Sequence, residues 1–136
     1  MIIDTSALLA YFNSREPDHA AVSGVIDNND DGQLVVSPFV VAELDYLIGT
    51  RIGVAAELAA LRELSSGAWE LAVFGVAELE SATSIVEKYG DQDIGVADAL
   101  LVVLADRYHT RTIVTLDRRH FDVLRPIGGG RFSIRP

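Results

Sequence analysis

Short apolar runs rich in Val and Ile alternate along this chain with longer segments whose apolar residues recur at helical spacing. Met1-Ile-Ile stops at Asp4-Thr5-Ser6, and Ala7 to Phe12 resumes with helix formers. That order predicts a strand, a turn and a helix, with Asp4 or a neighbour placed to cap the helix start. Pro17 to Asn28 predicts a second helix, closed by the polar cluster 28–32. Leu34 to Ser37 is the second strand, and Pro38 opens a helix over Phe39 to about Ile48 that carries Glu43. Gly53 to Ser65 is an Ala/Leu-rich helix, joined to the previous one through 49–53 as a helical hairpin. Trp69 to Phe74 is a third strand, Val76 to Tyr89 a helix stopped by Gly90, and Thr112 to Leu116 the clearest strand of all. Arg118 to Leu124 makes a short helix, and Phe132 to Ile134 a final edge strand. Strands alternating with helices imply an α/β fold, a three-layer sandwich with a short, mainly parallel sheet between helices. No repeat, linker or low-complexity tract interrupts it, so residues 1–136 are expected to form one domain.

One helix breaks the pattern. From Val96 to Ala105 the only polar residue is Asp98, so the segment predicts a helix buried against the sheet rather than an amphipathic surface helix. Asp is rarely buried without a partner, and an isolated carboxylate there would gain a proton or find a cation. The question is what faces Asp98, and the chain offers Asp4, Glu43 and Asp117.

Composition narrows the class. Hydrophobic residues make up 49% and charged residues 23% of 136, which is a globular balance and not a disordered one. A mean hydropathy of +0.26 is high for a domain of this size and points to apolar surface covered by a partner. The absence of cysteine excludes a disulfide scaffold and thiolate metal sites. No basic leader precedes Asp4 and no apolar run approaches the roughly 18 residues of a membrane span, so the expectation is a cytoplasmic protein with no membrane contact. The net charge of −9 argues against a sequence-independent nucleic-acid coat. Charge is segregated, however: seven of the eleven basic residues lie from Arg107 onward.

In an open parallel sheet, ligands bind beyond the carboxyl ends of the strands. Asp4 follows the first strand and Asp117 follows the Thr112–Leu116 strand. Glu43 sits about one and a half turns into the helix after the second strand, and Asp98 lies near its helix start, where the dipole favours negative charge. Four carboxylates from four segments can therefore meet on one edge. Two of them about 6 Å apart repel by roughly 3 kcal/mol at an effective dielectric of 20, so protons or hard dications must compensate. Carboxylate oxygens without Cys or clustered His suit Mg²⁺ or Mn²⁺ rather than Zn²⁺. Metals so held activate water for in-line phosphoryl displacement.

These residues also match a family. Ile-Ile-Asp4-Thr5-Ser6, Glu43 within Ser37-Pro-Phe-Val-Val-Ala-Glu43-Leu, Ala97-Asp98-Ala-Leu100 and Thr115-Leu-Asp117-Arg-Arg-His-Phe121 together resemble a PIN-domain ribonuclease, most closely the VapC toxins of toxin–antitoxin pairs. The resemblance spans essentially the whole chain. It implies a Mg²⁺- or Mn²⁺-dependent endoribonuclease that cuts structured RNA (tRNA or rRNA), forms a homodimer and is held inactive by a VapB-type antitoxin. It also implies that Asp4, Glu43, Asp98 and Asp117 are the catalytic and metal-binding acids, with Thr5, Ser6 and Thr115 as hydroxyl neighbours.

Each residue has a blander reading. Asp4 and Asp117 could simply cap helices, Glu43 could be an exposed face residue, and Asp98 could bond backbone amides at its helix start. Ser6 and Thr115 divide evenly between site and cap. Asp93 reads first as a helix cap and second as an extra acid of the site. His120 reads as a surface histidine ahead of a general base. Arg118 and Arg119 could meet RNA phosphates or pair with Asp122 or another acid, while Trp69 and Tyr46 read as core or interface. Two other functions stand beside the nuclease. An aspartyl-phosphate phosphotransferase fits poorly, since Ser6 occupies the place of its second Asp and Lys88 is the sole lysine. A catalytically silent module that binds metal or antitoxin is the non-enzymatic reading.

Overall fold

The computed structural model describes residues 1–30 and 32–136. Its elements are, in order, β1 (Ile2–Ile3), α1 (Thr5–Phe12), α2 (His19–Asp27), β2 (Val35–Val36), α3 (Pro38–Arg51), α4 (Val54–Leu64), β3 (Glu70–Leu71), α5 (Val76–Lys88), α6 (Val96–Arg107), β4 (Thr112–Val114), α7 (Arg118–Val123) and β5 (Ser133–Arg135). All five strands pair in parallel in the order β3-β2-β1-β4-β5. The α/β sandwich read from the sequence is therefore present.

The strand order fixes where a ligand can bind. From β1 the chain winds outward through β2 and β3, then returns to lay β4 on the other side of β1. Neighbouring crossovers therefore diverge between β1 and β4, opening a crevice at their carboxyl ends. Ile2 and Ile3 sit opposite Ile113 and Val114 across that junction. All four are at 0% exposure, because helices cover both faces of a parallel sheet.

Helix α6 is the buried keel. Ala99 through Ala105 are all buried, and the helix lies against α5 and β1. On the other side, α1 packs on α2 and α3. Ser37 starts α3 by accepting a hydrogen bond from Phe39 N–H at 3.1 Å, with Pro38 in the first turn. Glu78 takes Gly75 N–H at 2.8 Å to start α5.

Several boundaries differ from the sequence reading for local reasons. α2 begins at His19, since Pro17 and Asp18 lie in the preceding turn. The cluster expected to close it includes residue 31, which lies outside the described residues. α3 runs past Ile48 to Arg51, and Gly49 within it lets α4 come close. A Cβ on Gly49 would stand 3.1 Å from the Glu57 carboxylate. The turn comes at Gly53, whose φ of +135° only glycine adopts easily. β3 shrinks to Glu70–Leu71. β4 stops at Val114 because side chains take over the next donors: Leu116 N–H goes to Ser6 Oγ at 2.9 Å and Asp117 N–H to Thr115 Oγ1 at 3.1 Å. Trp69 is core, 6% exposed, with Nε1 donating to Glu63, whereas Tyr46 is 68% exposed and no part of the core.

Candidate active site

At the β1–β4 crevice lies an open pocket of about 350 Å³ lined by all four acids, Asp4, Glu43, Asp98 and Asp117, with Thr5, Ser6 and His120 beside them. The convergence expected from the sequence is present.

Asp4 occupies the N-cap position of α1, yet its side chain caps nothing. Its backbone N–H donates to Val114 O at 3.0 Å, tying it to the end of β4. Its Oδ2 accepts from Thr115 Oγ1 at 2.7 Å and from Ser6 Oγ at 3.0 Å. Each hydroxyl has one proton to give, and each also accepts a backbone N–H, from Asp117 and Leu116 respectively. Ser6 and Thr115 thus lock β4's exit loop to α1 and aim Asp4, leaving Oδ1 without a hydrogen bond among the described residues. Thr115 is 1% exposed, so this lock is dry on its inner side.

Glu43 comes from α3, and its Oε2 accepts from Thr5 Oγ1 at 3.0 Å. Thr5 is buried at the first turn of α1, so one helix start positions the acid of the neighbouring helix.

Asp98 lies in the first turn of α6, three residues after the N-cap Gly95. Its Oδ2 receives His120 Nδ1 at 3.0 Å. Burial pushes its carboxyl above the usual range; the nearby His120 opposes this, and the charges of Asp4 and Asp117 push it further up. The mutual repulsion inferred from spacing is therefore felt at this carboxylate.

Asp117 does cap its helix. Its Oδ1 accepts from Arg119 N–H at 3.3 Å, while Arg119 Nε and Nη2 clasp both oxygens at 3.0 and 2.9 Å. The guanidinium holds the Asp117 carboxyl below its ordinary range.

Two readings of the sequence change here. Asp93 is exposed with φ of +54°, outside the pocket lining, and Gly95 rather than Asp93 is the N-cap of α6. His120 is no free surface histidine; it is half-buried on Asp98. Arg119 pairs with Asp117, the neighbouring-acid alternative read from the sequence, and Arg118 is exposed outside the pocket lining. Of the other C-terminal arginines, Arg107 pairs with Glu78 at 2.6 Å and Arg125 donates to three backbone carbonyls, while Arg111, Arg131 and Arg135 take part in no ion pair among the described residues. One charged lining residue escaped the sequence reading. Arg51 shares the pocket, and its spacing of four and eight from Leu47 and Glu43 on α3 could have revealed it.

The donor set is hard oxygen throughout, which fits Mg²⁺ or Mn²⁺. Among the described residues no three Asp, Glu or His side chains stand ready around one point. The reason is visible in the contacts: hydroxyls, His120 and Arg119 hold the carboxylate oxygens that a dication would draw inward.

The model of the PIN domain family matches residues 1–125. The chain is 72% identical over its full 136 residues to Ribonuclease VapC26 of Mycobacterium tuberculosis strain H37Rv, covering all of that protein. In fold it is similar to the crystal structure of M. tuberculosis VapC20, described as a sarcin-ricin loop cleaving toxin. The TM-score is 0.81 at 18% identity, over 99% of this chain and 98% of that one. The crystal structure of FitAcB from Neisseria gonorrhoeae matches with a TM-score of 0.61 at 19% identity, over 89% and 90% of the two chains.

Proposed function

This chain belongs to the PIN-domain family and, within it, to the VapC ribonucleases, and from that premise we propose that it is a divalent-metal-dependent endoribonuclease, the toxin of a toxin–antitoxin pair, acting on structured RNA. The observation that carries the reading is the gathering of Asp4, Glu43, Asp98 and Asp117 in one pocket at the β1–β4 crevice. Nothing in an apolar core needs four acids together, and their repulsion calls for a cation.

Asp4, Asp98, Asp117 and Glu43 are the residues that would hold Mg²⁺ or Mn²⁺. Such an ion, when bound, supplies Lewis acidity and charge neutralisation at a phosphodiester. The chain's own part is orientation and proton placement. Ser6 and Thr115 fix Asp4 through Oδ2 and leave Oδ1 turned to the pocket. Thr5 fixes Glu43. His120 Nδ1 faces Asp98 Oδ2 at 3.0 Å and opposes the burial that pushes that carboxyl up. Arg119 clasps Asp117 from the solvent side.

A VapB-type antitoxin and a second copy of the chain are the partners of this reading, with all of residues 1–136 in a single domain acting in the cytoplasm. Exposed apolar residues support covered surfaces: Leu71, Val73, Val76 and Leu79 around β3 and the start of α5, and Tyr46, Ile52, Val54 and Leu58 on the α3–α4 hairpin. Among the described residues no helix is long and apolar enough to cross a membrane.

The test is RNA cleavage by the purified protein with Mg²⁺, with Mn²⁺ and with a chelator, beside Asp98→Asn. Mapping new 5′ ends across a transcriptome then identifies the RNA. Cleavage that persists in both chelator and Asp98→Asn rejects the proposal; metal uptake with no cleavage of any RNA favours the silent module instead.

A further inference from the structure

A second cleft adjoins the acidic pocket. It has a volume of about 550 Å³ and is lined by Phe12, Asn13, Ser14, Arg15, Arg51 and Ile52, well within the roughly 300–1,000 Å³ of ligand sites. Arg51 lines both cavities, so they form one groove. The backbone explains its course. Glu43, Leu47 and Arg51 are spaced by four along α3 and share one face, which spans about 12 Å at 1.5 Å per residue. The acids stand toward the helix starts, and the groove follows α1 and α3 to their C-terminal ends.

Charge distinguishes the two ends. RNA approaching four carboxylates on a chain of net charge −9 is repelled, so productive binding requires cationic groups beside the acids. His120 and Arg119 are spent on Asp98 and Asp117. Several arginines take part in no ion pair among the described residues, but of these Arg51 alone lines the acidic pocket, and Arg51 and Arg15 both line the second cleft beside Phe12 and Ile52.

We propose that this cleft is a nucleotide subsite, in which Arg51 and Arg15 hold an RNA phosphate flanking the scissile one while Phe12 and Ile52 receive its base or sugar. The inference rests on the ribonuclease reading above and adds where the substrate strand runs: along α1 and α3, past Arg51 at the edge of the acidic pocket. Guanidinium forks suit phosphate, and an aromatic face beside them suits a base without selecting its sequence.

The test separates binding from cleavage. In the Asp98→Asn background, anisotropy of a fluorescein-labelled single-stranded RNA of about 12 nucleotides is followed between ~50 and ~200 mM KCl. Arg51→Gln is expected to weaken binding about tenfold and to lower the log–log salt slope by about 0.7, the share of one phosphate contact on a single strand. Arg15→Gln acts in the same direction, and Arg51→Lys restores the slope. In the cleaving protein Arg51→Gln raises KM while kcat stays within about twofold, as loss of uniform binding requires. Binding and slope unchanged in both glutamine variants overturn the subsite, whatever the protein cleaves. If the arginine effects appear but the parent cuts no RNA with Mg²⁺ or Mn²⁺, the subsite stands and the nuclease reading falls. A melting shift of Arg51→Gln beyond about 3 °C with parental RNA affinity would assign the arginine to the C-terminal dipole of α3 instead.

Discussion

Thr115→Val removes one oxygen from the middle of the lock between β1, β4 and α1. Valine has the shape of threonine but no hydroxyl, and the site is 1% exposed, so water cannot replace the lost oxygen from inside. Three contacts go: the 2.7 Å bond to Asp4 Oδ2, the 3.1 Å acceptor for Asp117 N–H, and the 3.1 Å contact with Ser6 Oγ. A hydrogen bond to a charged group contributes about 1.5–3 kcal/mol, and an orphaned buried donor costs about 1–3 kcal/mol. The Asp117 N–H lies near the pocket mouth, so its cost falls at the low end. Burial of the new methyl returns about 0.8 kcal/mol. The net loss is about 2–3 kcal/mol, which for a chain between the usual small and medium sizes lowers Tm by roughly 6–12 °C. Calorimetric melts of the chelated protein measure it. Thr115→Ser keeps the oxygen and should recover all but about 1 kcal/mol. Cleavage should fall in the valine variant and return in the serine variant, because Asp4 loses its aim. A valine variant melting within about 2 °C of the parent would show that the hydroxyl holds nothing. Full cleavage at a lowered Tm would make the lock structural and not a positioning device.

Asp98→Asn should abolish cleavage. In the metal-free protein it should also remove a pH-dependent loss of stability: the Asp98 carboxyl is raised by burial, so ionising it disfavours the folded state, and stability falls as pH rises through its folded pKa. The Tm difference between variant and parent should therefore widen in the variant's favour from the ordinary carboxylate range upward; a difference independent of pH contradicts this. Arg119→Ala should cost less than about 1 kcal/mol, since the guanidinium is 83% exposed, and should tighten Mn²⁺ binding by titration calorimetry because the competing cation on Asp117 is gone. Weaker metal binding would show that Arg119 organises the acid rather than competes for it. Leu101→Ala, in the fully buried run of α6, should lower urea-derived stability by about 2–5 kcal/mol; a loss under about 1 kcal/mol would mean that α6 repacks.

Much of this molecule is legible in its sequence because burial writes itself into apolar runs. A run from Val96 to Ala105 whose only polar residue is Asp98 can lie only in the interior, and that one acid then asks for company. Asp4 and Asp117 follow strands, so a parallel sheet alone brings them to one edge. Partners of charged side chains leave no such trace. Nothing in the order Asp117-Arg-Arg-His120 says that Arg119 folds back on Asp117 while His120 reaches Asp98; those choices depend on the turn of α7. Asp93 misled because proximity in sequence to Asp98 ignored the left-handed bend between them. The short strands were overextended for the same reason: Thr115 and Leu116 have strand-like neighbours, but Ser6, distant in sequence, claims the Leu116 amide and ends the ladder.

The central strand of the sheet, β1, precedes its neighbour β4 by more than a hundred residues. Asp4 leaves the ribosome long before Thr115 and Asp117 exist to face it. A polypeptide interrupted anywhere before β4 lacks half the crevice, and long-range pairing of this kind forms late in folding. The crevice thus exists only once β4 has paired with β1, and an acidic pocket arrives only with the assembled sheet.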